Sequence, residues 1–402
     1  MFLVTLLAAA TAISASPVQL QAKTAVLSLK HVSHVTSVKN IVHKGKARIN
    51  KINGFSDDVG SGSVTNEDVS YVAPVSIGGT IYQLIVDTGC TSLLQDALKT
   101  LYWLEICSAS NTWCGAQNSC EPSSTGQDTG GSVQVSYGSG SFFGEEFIDS
   151  VSFGGLTVPD QSVGAASQSQ GFTGVDGIFG FGPVDLTEAT VSNANTVPTF
   201  MDNLFSQGSI STEVLGVSFS PESGGDSDDT NGELTLGGTD SSKYSGEITF
   251  FPQLTSGDAS PYWGIAISSF TYGSTTLASS GSGIVDTGTT LIYIPTSAYN
   301  QFLSATGGQT DSSSGLAAFS TAPTENFGVT FGSTTFTLTP SQYLIPTAQY
   351  SFFGLNEGTF YSWINDGGSS GVDTIIGQKF LENYYSVFDT TNSQIGFAPS
   401  SV

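Results

Sequence analysis

Two aspartates, Asp87 and Asp286, sit in nearly the same surroundings: LIVDTG at 84–89 and GIVDTG at 283–288. In each, apolar residues (Leu84, Ile85 and Val86; Ile284 and Val285) predict a buried strand that carries its Asp into a tight turn made possible by Gly. A lone buried carboxylate is costly. Two that meet can share one proton, because like charges so close cannot both ionise. One carboxylate then serves as base for a water. The protonated partner polarises a carbonyl and later helps proton transfer to the leaving nitrogen. Such a pair titrates as a unit.

A single Asp-Thr-Gly is equally the signature of an ordinary Asp-capped turn. The repeat adds weight to the chemical reading. VDGIFG at 175–180 is echoed by VDTIIG at 372–377. That pair is offset by 197 positions, and the two aspartates by 199. Two motifs recurring in order at a lobe-sized period indicate an internal duplication, not a solenoid.

The elements that must position these residues are short. Strand patterns occur in YVAPVSIGG, YQLIVDTG, GSVQVSYGSGSFFG, GELTLGG and GEITFF, broken by Gly and Ser. Two stretches read as helix: PTFMDNLFSQG, with Pro198 in its first turn and a stop at Gly208, and TSAYNQFLSATG, with a Thr N-cap and an end at Gly307. With 48 Gly and 11% charged residues, the 402-residue chain is turn-rich and sparsely charged, as all-β proteins are. Its 26 Phe, 14 Tyr and 4 Trp argue against disorder.

Charge is distributed unevenly. Residues 1–51 hold seven of the ten Lys and Arg, all three His and none of the 34 Asp and Glu. A basic segment that docks on an acidic body fits this change of sign better than a solvated tail does. The acidic body argues against a nucleic-acid partner and fits operation at low pH, where self-repulsion falls. No His follows residue 51, so the body cannot run Ser-His-Asp or Cys-His chemistry or hold a His-ligated catalytic zinc. Carboxylates remain as catalysts, with no metal and no cofactor expected.

Residues 1–15, MFLVTLLAAATAISA, read as a signal peptide that lacks a basic n-region. Residues 16–60 read as a basic propeptide ending in the Gly- and Ser-rich linker SDDVGSGSVTNED, with the mature start near Gly60. Residues 61–402 form the expected main domain, with lobes at about 61–240 and 241–402. No later run of 18 apolar residues exists, so no membrane span is expected, and no Asn-x-Ser/Thr sequon is present.

At the paired motifs the sequence resembles the pepsin family, and within it secreted fungal polyporopepsin-like enzymes, from about Val69 to the C-terminus. The resemblance implies an all-β bilobal acid-protease fold with a cleft between two pseudo-two-fold-related lobes and a few short helices. It also implies a secreted, extracellular, monomeric endopeptidase. Its substrate would be an extended segment of about six to eight residues, apolar around the scissile bond. Carried over by motif, Asp87 and Asp286 are the catalytic dyad. Thr88 and Thr287 brace the two loops, and Gly89 and Gly288 let the backbone approach the substrate. Tyr137 in SYGSGS is the flap tyrosine, with Gly138 and Ser139 contacting bound peptide and Trp113 in SNTW supporting it. Tyr137 and Trp113 are also plausible core aromatics. Thr289 is a candidate substrate contact or a cap of its own turn, and Ile178 a candidate S1 residue or simply core. In the family a Lys of the prosegment approaches the dyad. The Lys-rich stretch fits that role without singling out one Lys, and acid would loosen it by protonating its partners.

One interruption departs from the family pattern. CTSLLQDALKTLYWLEICSA stands between DTG and SNTW, so that 21 residues separate Gly89 from Asn111, 19 more than the two serines of DTGSSNTW. This 90–109 insert is either an amphipathic helix with Leu94, Leu98, Leu101 and Tyr102 on one face or an unspliced intron. The intron is favoured, because the insert abuts the catalytic turn. If the insert is real, Cys90 takes the place of the serine that hydrogen-bonds the first aspartate in the family. Cys114 and Cys120 could close a small disulfide loop in an oxidising compartment, although four cysteines allow three connectivities. Two other readings stand beside the protease: a catalytically impaired member that binds peptides or proteins, and a secreted glycosidase using two carboxylates.

Overall fold

The computed structural model describes residues 24–33, 38–54, 69–89, 104–107, 123–136, 141–170, 175–222 and 230–402. The first segments are a strand, β1 (Ala25–Ser33), and a helix, α1 (Val38–Ile52). In α1, Val38, Ile41, Val42, Gly45, Ile49 and Ile52 are buried. That three-and-four spacing makes one apolar stripe, and the helix lies on the protein along it.

The first half continues with β2 (Val69–Ile77), β3 (Thr80–Asp87), β4 (Leu104–Cys107), β5 (Gln127–Ser136), β6 (Ser141–Phe153), β7 (Leu156–Gln170), β8 (Gly177–Gly180), helix α2 (Phe200–Ser206), β9 (Val214–Ser218) and β10 (Gly232–Leu236). Gly78 and Gly79, both at positive φ, turn β2 back into β3, a two-residue hairpin connection that favours glycine. Strand β3 is exposed at its start and buried over its last four residues. It runs between β2, antiparallel, and β8, parallel. Its end is therefore enclosed on both edges, which explains the unbroken apolar run before Asp87. The core beneath holds Leu84, Val86, Phe153, Phe179 and Phe200. Phe153, Phe179 and Phe200 meet edge to face at 5.0–6.4 Å, the geometry that ring quadrupoles favour.

The second half holds β11 (Thr249–Pro252), β12 (Gly264–Tyr272), β13 (Thr275–Val285), β14 (Ile292–Ile294), helix α3 (Thr296–Thr306), β15 (Gln309–Thr310), β16 (Ala317–Phe319), β17 (Phe327–Phe331), β18 (Thr334–Leu338), short helices α4 (Pro340–Tyr343) and α5 (Tyr350–Phe353), β19 (Phe360–Tyr361), β20 (Ile364–Asp366), β21 (Ile375–Ile376), α6 (Gln378–Leu381), β22 (Tyr384–Asp389) and β23 (Gln394–Pro399). Strand β13 delivers Asp286 as β3 delivers Asp87, and it too runs parallel to a short buried strand, β21. The repeated VDGIFG and VDTIIG motifs supply those two partners, β8 and β21.

The halves are joined by a continuous sheet in the order β11-β23-β22-β9-β10-β1-β2. The C-terminal strands thus return to pair with β9. Strand β1 bridges two neighbours. Ala25–Leu29 pair with β10, and Lys30–Ser33 pair with β2.

The expected strands are present. Both expected helices form with different starts. Thr199 caps α2 through a capping box with Asp202, so Pro198 lies before the helix and outside its first turn. In α3, Pro295 occupies the N-cap and Thr296 is already helical; Gly307, at φ 66°, ends it as expected. Within the insert, Leu104–Cys107 form β4, an edge strand parallel to β7. The proposed helical face at Leu94, Leu98, Leu101 and Tyr102 lies outside the described residues, as do Cys90, Cys114 and Cys120.

Candidate active site

Asp87 and Asp286 lie at matching strand ends and face one another. A Cβ built on Gly89 would overlap the Asp286 carboxyl, and one on Gly288 would overlap that of Asp87. Each glycine is needed because the other half's aspartate occupies its side-chain space. Each turn also grips its own Asp: the Gly89 N–H donates to Asp87 Oδ1 at 2.8 Å and the Gly288 N–H to Asp286 Oδ1 at 2.9 Å.

The threonines tie the turns together. The Thr88 N–H donates to Thr287 Oγ1 at 2.9 Å, and the Thr287 N–H donates to Thr88 Oγ1 at 3.0 Å. The Thr287 hydroxyl donates onward to the Val86 carbonyl at 3.1 Å, and that of Thr88 to the Val285 carbonyl at 3.5 Å. Both threonines are fully buried. The bonds satisfy N–H groups that no strand partner reaches, and they fix the separation of the two carboxyls. A further interlobe bond, from Trp263 Nε1 to the Phe181 carbonyl at 3.0 Å, runs behind the first turn.

The Thr289 hydroxyl donates to Asp286 Oδ2 at 2.5 Å. Its side chain is therefore directed at its own aspartate, the geometry of a cap on its own turn. The position following Gly89 is Cys90, which lies outside the described residues. Burial, the largest influence, pushes Asp286 up to about 6. Arg48 pulls it down, Asp87 pushes it up, and Thr289 and the Gly288 N–H pull it down.

Arg48 of α1 occupies the space between the carboxyls. Its Nη1 and Nη2 donate to Asp87 Oδ2 and Oδ1 at 3.1 and 2.8 Å, and its Nε lies 2.8 Å from Asp286 Oδ2. The expected cation was one of the lysines, and the structure corrects that expectation. A guanidinium presents donors along one planar edge and beyond it, so it chelates one carboxylate while touching a second. A Lys ammonium is a point charge and cannot span both in that way. Sequence reasoning missed Arg48, although it is the single arginine in the chain. The rest of α1 is held around it. The Tyr293 hydroxyl donates to the Val42 carbonyl at 3.1 Å. A Cβ on Gly45 would overlap the Tyr293 ring, so Gly45 lets the helix close on it.

Asp176 and Ile178 support the first turn from below. The Gln83 N–H donates to Asp176 Oδ2 at 2.8 Å. Ile178 is paired with Ile85 across β8 and β3 and shares an apolar cluster with Val42, Ile49 and Tyr293. Tyr137, Gly138, Ser139 and Trp113 lie outside the described residues. In sequence, Tyr137, Gly138 and Ser139 follow β5 and Trp113 precedes it.

A bilobal β scaffold with paired, cross-braced Asp-Thr-Gly turns defines a pepsin-like aspartic protease. A family model described as "Eukaryotic aspartyl protease" matches residues 70–400, and the chain belongs to that family. It is 45% identical to polyporopepsin of Irpex lacteus over 353 residues, covering 85% of this chain and 97% of that protein. It is 32% identical to rhizopuspepsin of Rhizopus chinensis, over 98% of this chain and 96% of that one, and 30% identical to pepsin A of Sus scrofa, over 83% and 82%. The crystal structure of the Irpex lacteus aspartic proteinase superposes with a TM-score of 0.75 at 39% identity, over 94% of this chain and 98% of that one. The all-β bilobal expectation and the endopeptidase expectation both hold, and the glycosidase alternative falls.

Proposed function

We propose that this aspartic endopeptidase is secreted as a latent precursor and works at acid pH through a water held between Asp87 and Asp286. The observation that carries the proposal is the Arg48 guanidinium spanning both carboxyls from a helix outside the duplicated body. A peptide cannot enter between the lobes while α1 lies there. Arg48 keeps its charge at every relevant pH, so acid must act on its partners. As the dyad takes up protons, the buried guanidinium loses its counter-charges and its burial becomes unfavourable. Acidification therefore favours departure of α1, and the freed pair then holds one proton between two carboxyls, the state that water activation requires. The intact Asp-Thr-Gly pair supports catalysis over peptide binding alone. Extended peptides are the proposed substrates, and the monomer, with residues 16–60 as internal inhibitor, is the proposed latent form. Extracellular location is inferred from the apolar leader and from the kinship with polyporopepsin and rhizopuspepsin.

The test uses the full chain. Brought from pH 7 to pH 3.5 with no other protease present, it should lose its N-terminal segment and begin to hydrolyse casein, with inhibition by pepstatin. Asp286→Asn should do neither. Processing that proceeds equally well at pH 7, or proteolysis that survives Asp286→Asn, refutes the proposal.

A further inference from the structure

Just beyond α1, Asn53 makes three side-chain hydrogen bonds to one turn. Its Oδ1 accepts from the Val372 N–H at 2.6 Å, and its Nδ2 donates to the Val372 carbonyl at 3.0 Å and to the Ser370 carbonyl at 2.9 Å. A primary carboxamide has two N–H donors and one carbonyl oxygen, and this turn engages all of them. We propose that the Ser370–Val372 turn is a carboxamide-binding subsite of the processed enzyme that takes an Asn or Gln side chain of the substrate. The inference rests on the reading of residues 16–60 as a removable prosegment.

Three features make the turn a built site. Gly371 adopts φ +64°, and a Cβ there would overlap Asn53 Oδ1, so the approach of the amide depends on glycine. Val372 is fully buried, which fixes the donor in place. The chain just before the turn is anchored on the scaffold: the Gly367 N–H donates to the Ile294 carbonyl at 2.8 Å, and the Gly368 carbonyl accepts from the Thr296 N–H at 2.6 Å. The site also discriminates. A backbone amide has one N–H and can satisfy only one of the two carbonyls. A carboxylate of the same shape has no N–H and would meet two carbonyl oxygens with negative charge. Asn and Gln are accepted, and Asp and Glu are rejected.

The position relative to the chemistry follows from the helix. Asn53 lies five residues after Arg48, and its N–H continues the helical pattern by donating to the Ile49 carbonyl at 3.0 Å. At about 1.5 Å per residue this sets the Asn53 backbone roughly 7.5 Å along the helix from that of Arg48, whose guanidinium holds both carboxyls. An extended substrate covers that distance in about two to three residues.

The experiment uses enzyme obtained by acidifying the full chain, with N-terminal sequencing and casein hydrolysis recorded on the same sample. Peptides with Asn, Gln, Asp, Glu or Ala at each position within three residues of the scissile bond are compared at pH 5, where an Asp side chain is ionised. At one position kcat/KM should be at least tenfold higher for Asn or Gln than for Asp or Glu. In Gly371→Ala that ratio should fall to about one. An active, processed enzyme with a flat profile at every position overturns the inference alone, as does a ratio that persists in Gly371→Ala. A chain that keeps residues 16–60 attached at acid pH overturns the prosegment reading and this inference with it.

Discussion

Replacing Arg48 with Met keeps much of the side-chain volume and removes the charge. In the native chain the guanidinium is buried and holds three contacts of 2.8–3.1 Å to two carboxyls. Breaking a buried ion pair by removing one partner costs about 3–5 kcal/mol. At about 1.4 kcal/mol per tenfold, the closed form should lose roughly two to three and a half orders of magnitude in its population relative to the open one. Removing Arg48 also removes the chief influence that lowers Asp286, so that carboxyl moves further up from about 6. On the proposed mechanism the dyad of the variant should stay protonated closer to neutrality, and α1 should loosen without acid. The assay is the initial rate on a fluorogenic peptide at pH 6.5, with intact mass recorded to show that no cleavage of the chain has preceded it. Arg48→Met should be active without an acid step, and Arg48→Lys, which retains one charge without the bidentate grip, should fall between it and the native chain. If Arg48→Met remains as latent as the native chain with an unchanged activation midpoint, the guanidinium is not what holds the cleft closed.

Gly288→Ala places a methyl group on the Asp87 carboxyl and should lower kcat by at least about a hundredfold, a misplacement effect, while the far-ultraviolet circular dichroism of the chain is retained; normal kcat would mean that the turns do not face each other so closely. Thr88→Val leaves the buried Thr287 N–H without its acceptor and should cost about 1–3 kcal/mol in urea unfolding, with activity falling alongside. Glu213, beside Asp202 at the base of α2, is raised to about 8, first by burial and then by its hydrogen bond to, and repulsion from, Asp202. Its folded value exceeds the unfolded one near 4.5, so its stabilising contribution is complete below about pH 4.5 and is lost as pH rises towards 8. Glu213→Gln should raise the melting temperature at pH 7.5 and leave it nearly unchanged at pH 4; equal shifts at both pH values would refute this assignment.

The dyad was legible because duplication writes the same local instruction twice. LIVDTG and GIVDTG specify buried strands ending in glycine turns, and the two downstream motifs specify the strands β8 and β21 that enclose them. Helix starts were less legible. A Thr before a helical pattern reads as a cap wherever it falls, but Thr199 caps α2 whereas Thr296 lies inside α3. The difference rests on which backbone N–H groups remain unpaired in three dimensions. Arg48 escaped notice because a basic segment offers several cations, and pattern alone does not say which of them reaches a given carboxylate.

The sequence by itself determined that two aspartates stand on equivalent turns, that the body is acidic, and that a basic segment precedes it, since composition and periodicity are local and additive. Only the tertiary structure decided that Arg48 is the cation between the carboxyls and that Asn53 fits the Ser370–Val372 turn. Those are pairings over separations of up to 319 positions, set by donor directions and available space after packing, and no short-range pattern encodes them.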